Sequence, residues 1–92
     1  MISFEWDKRK ARFNLAKHAV SFEEATEAFG DPFALELLDD RFDYGEDRFI
    51  LIAMVTDRCL TIVYAEHDNI CRLISARLST KAEQDAYFEA QE

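Results

Sequence analysis

The sequence predicts a single α+β domain, helices packed on an antiparallel sheet of about four to five strands, and three observations carry that prediction. Residues 49–55 and 59–65 are two apolar runs of seven residues, separated only by Thr56, Asp57 and Arg58. Their length and their β-branched and aromatic content make them a hairpin. Two helix starts are written as capping boxes, Ser21 with Glu24 and Thr80 with Glu83. Finally, 92 residues with 49% hydrophobic and 13% aromatic content suffice for one core. The expected element order is β-α-α-β-β-β-β-α.

Each element has its own justification. Ile2, Phe4 and Trp6 alternate with Ser3 and Glu5, giving a short first strand over residues 1–6. Asp7 is placed to N-cap a helix over residues 8–18. Its apolar side is thin (Ala11, Leu15, His18), so a basic face stays free. Ser21 opens a second helix that runs to about Phe29, with Phe22, Ala25 and Phe29 on one side and Val20 stapled to Ala25. Gly30 suits a left-handed helix end, and Pro32 blocks continuation. Residues 33–38 form a short strand flanked by acids, as expected at a sheet edge. A polar loop over residues 39–47 leads to the central hairpin. His67, Asp68 and Asn69 make a second turn, residues 70–76 a last strand, and Thr80 opens a helix with Ala82, Ala86 and Tyr87 on one side.

Three-residue turns set an expected register. Val55 then faces Cys59, Tyr64 faces Arg72, and Arg48 faces Glu66. That register gathers Arg48, Glu66, Tyr64 and Arg72 at one end of one face. It gathers Arg77, Ser75 and Thr61 at the opposite end of the other face. A slip of one residue would exchange the faces. Cys59 and Cys71 would lie roughly 20 Å apart, too far for a disulfide, and read as small buried hydrophobes.

The net charge of −8 argues against general nucleic-acid binding, which needs Lys and Arg for phosphates. The charge is segregated, however. Lys8, Arg9, Lys10, Arg12 and Lys17 are five of the eleven basic residues, whereas residues 23–47 hold ten acids and one base, Arg41. Two surfaces with different partners are expected, against the plainer reading of a solvated charged exterior. No apolar run approaches the roughly 20 residues of a membrane span, and the first residues lack the signature of a signal peptide, so a cytoplasmic location is expected.

Phe4-Glu5-Trp6-Asp7, then Lys10, Asn14 and Lys17-His18-Ala19-Val20-Ser21-Phe22 with Ala25, resembles the N-terminal signature of the BrnT toxins. Gly45-Glu46 with Arg48, Tyr64, and Ile74-Ser75-Ala76-Arg77 followed by Glu83 and Tyr87 continue that pattern in order. The resemblance spans essentially the whole chain. One departure stands out: Ala19 occupies the place where the family usually has Gly, at a cost of roughly 1 kcal/mol if the backbone there is left-handed. The resemblance implies a RelE-like fold and metal-independent RNA cleavage without a cofactor. It also implies inhibition by a BrnA-like ribbon-helix-helix antitoxin, which would itself bind operator DNA.

Cleaving RNA without a metal uses the 2′-hydroxyl as nucleophile. It requires a base, cations for the charged phosphorane and an acid for the leaving oxygen. Arg77, Arg72 and Arg48 are the candidate phosphate ligands. Glu46 or Glu66 is the candidate base; Lys17, His18 or Tyr87 is the candidate acid. Trp6, Tyr64 and Tyr87 are candidate substrate contacts. Each has a plainer reading: His18 as a helix-end cap, Trp6 as core, Tyr64 as packing on an arginine, Glu46 and Arg48 as pins for the loop, His67 as a solvated turn residue. Two classes of function therefore stand side by side, a growth-arresting ribonuclease and an inactive toxin-like binding module. A metal-dependent hydrolase is disfavoured, because the two histidines and the scattered carboxylates show no ligand spacing.

Overall fold

In a computed structural model of the chain, residues 2–41, 43 and 45–92 are described. Met1, at the expected start of the first strand, and Phe42 and Tyr44, in the expected 39–47 loop, lie outside the described residues. The elements are β1 (Ser3–Glu5), α1 (Lys8–His18), α2 (Phe22–Glu27), a 3₁₀ turn (Ala28–Gly30), β2 (Leu35–Asp39), β3 (Arg48–Val55), β4 (Arg58–His67), β5 (Ile70–Leu78) and α3 (Lys81–Glu89). They form an α+β domain around a five-stranded sheet of order β1-β5-β4-β3-β2. No helix among the described residues is long and apolar enough to cross a membrane.

The sheet is mixed rather than antiparallel throughout. Strands β2 to β5 make an antiparallel meander, but β1 pairs parallel to β5, Ser3 opposite Ile70 and Glu5 opposite Arg72. The direction follows from what comes next in the chain. From Glu5 the chain continues along β5 in the same sense, so that α1 reaches the part of β5 that β1 leaves uncovered, and Asn14 meets Ala76 there.

All the predicted N-caps form. The Asp7 carboxylate accepts from the backbone N–H groups of Arg9 and Lys10, which hold it below the usual carboxylate range. Both capping boxes are closed in both directions. The end of α2 departs from expectation. Gly30 is not left-handed; the helix tightens into the 3₁₀ turn, whose C-cap is Asp31. The left-handed position lies one junction earlier, at Ala19, with φ 58°. Replacing Ala19 by Gly is therefore expected to stabilise the domain by about 0.5–1 kcal/mol, read as an upward shift of the urea midpoint at constant slope.

Helices α1 and α2 cover one face of the sheet. Val20, Phe22, Ala25 and Ala28 pack on Leu51, Ala53, Leu60, Ile62, Tyr64 and Leu73. Each large side chain buried there contributes about 1.5–3 kcal/mol. An aromatic chain runs through this core: Phe4 meets Phe29 at 5.0 Å, Phe29 meets Tyr64 at 5.0 Å, and Trp6 meets Phe22 at 5.9 Å, all edge to face. Among the described residues the opposite face is covered at one end, where Tyr87 of α3 packs with Ile52 and Cys59, and Leu35, Ile50 and Met54 border them. Helices thus cover one face and part of the other.

Two side chains finish the sheet where a neighbouring strand runs out. Beyond β1, the open edge of β5 is met by Asn14, only 5% exposed. Its amide donates to the Ala76 carbonyl at 2.8 Å and to the Val20 carbonyl at 2.9 Å, and accepts from the Ala76 N–H at 3.1 Å. On the other side, β2 pairs β3 only as far as Ile52. There the Met54 N–H donates to the Asp31 carboxylate at 2.9 Å, which also accepts from the Tyr87 hydroxyl at 2.6 Å. Burial works to raise the Asp31 pKa, but these hydrogen bonds and one from the Phe33 N–H hold it below the usual range. Backbone groups that would otherwise be orphaned thus find partners at both edges.

Candidate active site on the open sheet face

Register decides which side chains share the open face, and here the structure corrects the expected pairing. Both hairpin loops have two residues rather than three. Val55 pairs with Arg58 around Thr56 and Asp57, and His67 pairs with Ile70 around Asp68 and Asn69. Asp68 and Asn69 both have positive φ, as a type I′ turn requires, and Thr56 takes φ 58° despite its branched side chain. Arg48 consequently faces Ala65, and Tyr64 faces Phe49 and Leu73. Tyr64 and Glu66 belong to the helix-covered face, while Arg48 and Arg72 belong to the open one.

A β-bulge then changes the parity of β5. Tyr64 pairs with Leu73 but Val63 pairs with Ser75, so Ile74 is the extra residue. Without it, Arg72 and Arg77 would point to opposite faces. With it, Arg72, Ser75 and Arg77 lie on the same face as Arg48 and Thr61. The arginines of the two expected clusters therefore stand at two ends of one face, separated by roughly 15 Å along β5. Half-buried Ile50 and Val63 lie between them.

At one end, a row crosses all five strands: Asp39, Arg48, Ala65, Arg72 and Glu5. Glu46, from the loop before β3, bridges the two arginines. It pairs with the Arg72 guanidinium and lies 3.6 Å from Nε of Arg48. The Arg72 hydrogen bond is the main reason the Glu46 carboxyl stays below its ordinary range. Such a carboxylate is a weak base and a firm anchor for two guanidinia. A cleft of about 160 Å³ opens beside this group, lined by Glu5, Glu46, Ala65, His67, Ile70 and Arg72. The wider hollow next to it is walled by Asp39, Asp40, Asp43, Glu46 and Asp47, chemistry that repels a phosphate.

At the other end, Arg77 donates bidentately to Glu83 of α3, at 2.7 and 2.8 Å. Glu83 also accepts from the Thr80 N–H and from Thr61, whose hydroxyl contacts Ser79 at 2.8 Å. The Arg77 guanidinium thus clamps α3 to the sheet. Hydrogen bonds from Arg77 hold the Glu83 pKa at about 2, against an ordinary value of 4.5. A carboxylate with a depressed folded-state pKa adds stability above its unfolded value and loses it as the pH falls. Stability from this pair should therefore be complete above about pH 4.5 and decline toward pH 2. Glu83→Gln retains the capping box, and its urea midpoint should vary less than the wild-type midpoint over that window.

The remaining candidates lie apart from these groups. Lys17 and His18 end α1 and line a groove of about 450 Å³ between that helix and β5. The groove reaches the open face at Ser75. Trp6 is part of the covered core, Tyr64 is 3% exposed with its hydroxyl bonded to Glu36, and Tyr87 is 3% exposed on Asp31. Burial first, then the Glu36 carboxylate, raises the Tyr64 pKa; burial and Asp31 push Tyr87 to about 12. None of these three rings presents a free stacking surface on the open face. His67 is not in the turn as expected but ends β4, solvated beside Asp68. Both cysteines are free and buried, and burial pushes Cys71 to about 12. No three His, Cys, Asp or Glu side chains among the described residues are grouped to hold a metal ion.

Sequence reasoning missed Asn14 and Asp31 as edge-finishing groups. Asn14 did leave a signal, since it falls on the Ala11–His18 side of α1 at spacing i+3, where an apolar residue belongs. Residues 6–83 match the model of a family described as the ribonuclease toxin, BrnT, of type II toxin–antitoxin systems. No curated protein matches the chain.

Proposed function

Because the chain belongs to the BrnT family of ribonuclease toxins of type II toxin–antitoxin systems, we propose that it is a metal-independent endoribonuclease that arrests growth until a cognate antitoxin binds it. The observation that carries this reading is the bulge at Ile74, which brings Arg48, Arg72, Ser75 and Arg77 onto one incompletely covered face. In this reading the substrate's 2′-hydroxyl gives its proton to the Glu46 carboxylate as its oxygen attacks the adjacent phosphorus, the 5′-oxygen departs, and the guanidinia of Arg72 and Arg48 stabilise the charged phosphorane. Glu46 orients both. Lys17 and His18, in the groove that joins the face at Ser75, are the groups from which a proton reaches the leaving oxygen. Arg77 acts chiefly by holding α3 through Glu83. The antitoxin would be a ribbon-helix-helix protein and the only link to operator DNA.

The test is incubation of the purified chain with RNA in excess EDTA, together with induction in bacteria with and without the adjacent gene. RNA cleavage in EDTA and arrest relieved by the neighbour support the proposal. Loss of cleavage in EDTA, restored by a divalent metal, overturns metal independence.

A second reading has its own observation. Every arginine of the open face already carries a carboxylate, Arg48 and Arg72 through Glu46 and Arg77 through Glu83. A phosphate must displace those partners, whereas a protein partner need not. An inactive binding module would bind the antitoxin tightly and leave RNA intact in every buffer.

A further inference from the structure

The chain's positive charge is divided with no overlap between two kinds of place. Arg41, Arg48, Arg58, Arg72, Arg77 and Lys81 each pair with a carboxylate. Lys8, Arg9, Lys10, Arg12 and Lys17 are the other five of the eleven basic residues, and all lie on α1. Among the described residues none of these five forms an ion pair, in a chain with nineteen acids; the Asp7 carboxylate at the start of α1 feels the Lys10 and Arg12 charges without pairing with either. Charge that serves only solubility would spread and pair; charge kept unpaired on one helix of an acidic protein is set for an anionic partner.

The same helix borders a groove. Arg9, Lys10, Phe13, Lys17 and His18 form its α1 wall, and Ser75 lies on its β5 side. Phe13 is 69% exposed, with the Lys17 ammonium 5.9 Å from its ring centre. An exposed aromatic ring bracketed by cations suits a polymer that alternates flat bases with phosphates. Asn14 anchors the helix to β5 through Ala76, which holds the two walls together. At Ser75 the groove meets the face that holds Arg72.

We infer that the α1–β5 groove holds single-stranded RNA, with phosphates on Arg9, Lys10 and Lys17 and one base stacked on Phe13, and passes the strand onto the open face at Ser75. The inference rests on RNA being the ligand, as proposed above. It locates binding on a helix distinct from the arginines that face the chemistry.

The test uses the full chain and a fluorescein-labelled single strand of 2′-O-methyl uridines about twelve nucleotides long, which lacks the attacking hydroxyl and cannot be cleaved. Fluorescence anisotropy should give an affinity that falls with salt, by about 0.7 in logarithmic slope per phosphate contact. Arg9→Glu with Lys10→Glu should weaken binding at least about tenfold near 0.1 M salt and flatten the slope by about 1.4. Acids in the first turn of a helix suit its dipole, so this variant should keep its fold. Phe13→Leu should weaken binding about fivefold or more without changing the slope. Lys81→Glu, which alters a charge already paired on α3, should bind like the wild type.

Equal affinity for the α1 variant and the wild type overturns the inference, whether or not RNA is cleaved. If that variant also loses its complex with the antitoxin, the helix is a protein-docking surface instead. Wild-type cleavage of unmodified RNA with unchanged binding by the α1 variant removes this groove and leaves the nuclease reading standing. Groove-dependent binding without cleavage removes the nuclease activity and leaves the groove.

Discussion

Arg72→Ala is expected to lower the rate of RNA cleavage by about two to three orders of magnitude, the usual effect of removing one preorganised donor from a charged transition state. The domain should barely notice. The side chains of Arg72 and Glu46 are 37% and 38% exposed, and a pair so open to water contributes little to folding. The unfolding midpoint is thus expected to stay close to that of the wild type, and that separation makes the variant informative. Arg72→Lys keeps the charge but loses the planar fork, and should recover only part of the rate. Single-turnover cleavage in EDTA, read beside urea unfolding of the same preparations, is the measurement. Full activity in Arg72→Ala would move the phosphate site to Arg77 or to the α1 groove.

Arg77→Ala makes a useful contrast. Glu83 is 22% exposed and relies on that guanidinium, so the substitution disturbs α3 as well as any substrate contact. Lost activity there says little unless stability is measured too.

The largest loss of stability is expected from Asn14→Ala, about 3 kcal/mol, or roughly 15 °C in the thermal midpoint of a domain this small. The amide makes three hydrogen bonds to backbone groups, two of them to a single residue, Ala76. Truncation leaves that N–H and that carbonyl with no partner at a buried edge, and water reaches them only if α1 moves away. Asn14→Asp tests the geometry: it keeps the acceptor for the Ala76 N–H, loses the donors, and places a charge against two carbonyls. It should be no better than Ala. Urea unfolding decides the matter, and a loss below about 1 kcal/mol would mean the edge is hydrated.

Local chemistry in the sequence proved a sound guide to the helices. Asp7, Ser21 with Glu24, and Thr80 with Glu83 each start a helix where the pattern places one, because a cap depends on residues within three positions of itself. The hairpin runs were equally plain. Register was not, for two physical reasons. The two-residue loops depend on positive φ at Thr56, Asp68 and Asn69 without a single glycine, so the strongest turn signal is missing. The bulge at Ile74 has no local signature, and it reverses which side of the sheet Arg77 occupies relative to Arg72. The parallel placement of β1 is set by contacts with the far end of the chain. The candidate residues were thus legible as a list, but their division into an Arg72 group, an Arg77 clamp and a helix-lined groove was not.

The bond between Asn14 and Ala76 joins residues 62 positions apart. On a ribosome α1 is made well before the strand edge it must dock on. At 5–20 residues per second, the N-terminal segment waits roughly 3–12 seconds for its partner. During that interval the chain has neither the groove nor the bulged strand that aligns Arg72 with Arg77. The proposed nuclease surface therefore cannot assemble on a nascent chain until β5 has been made.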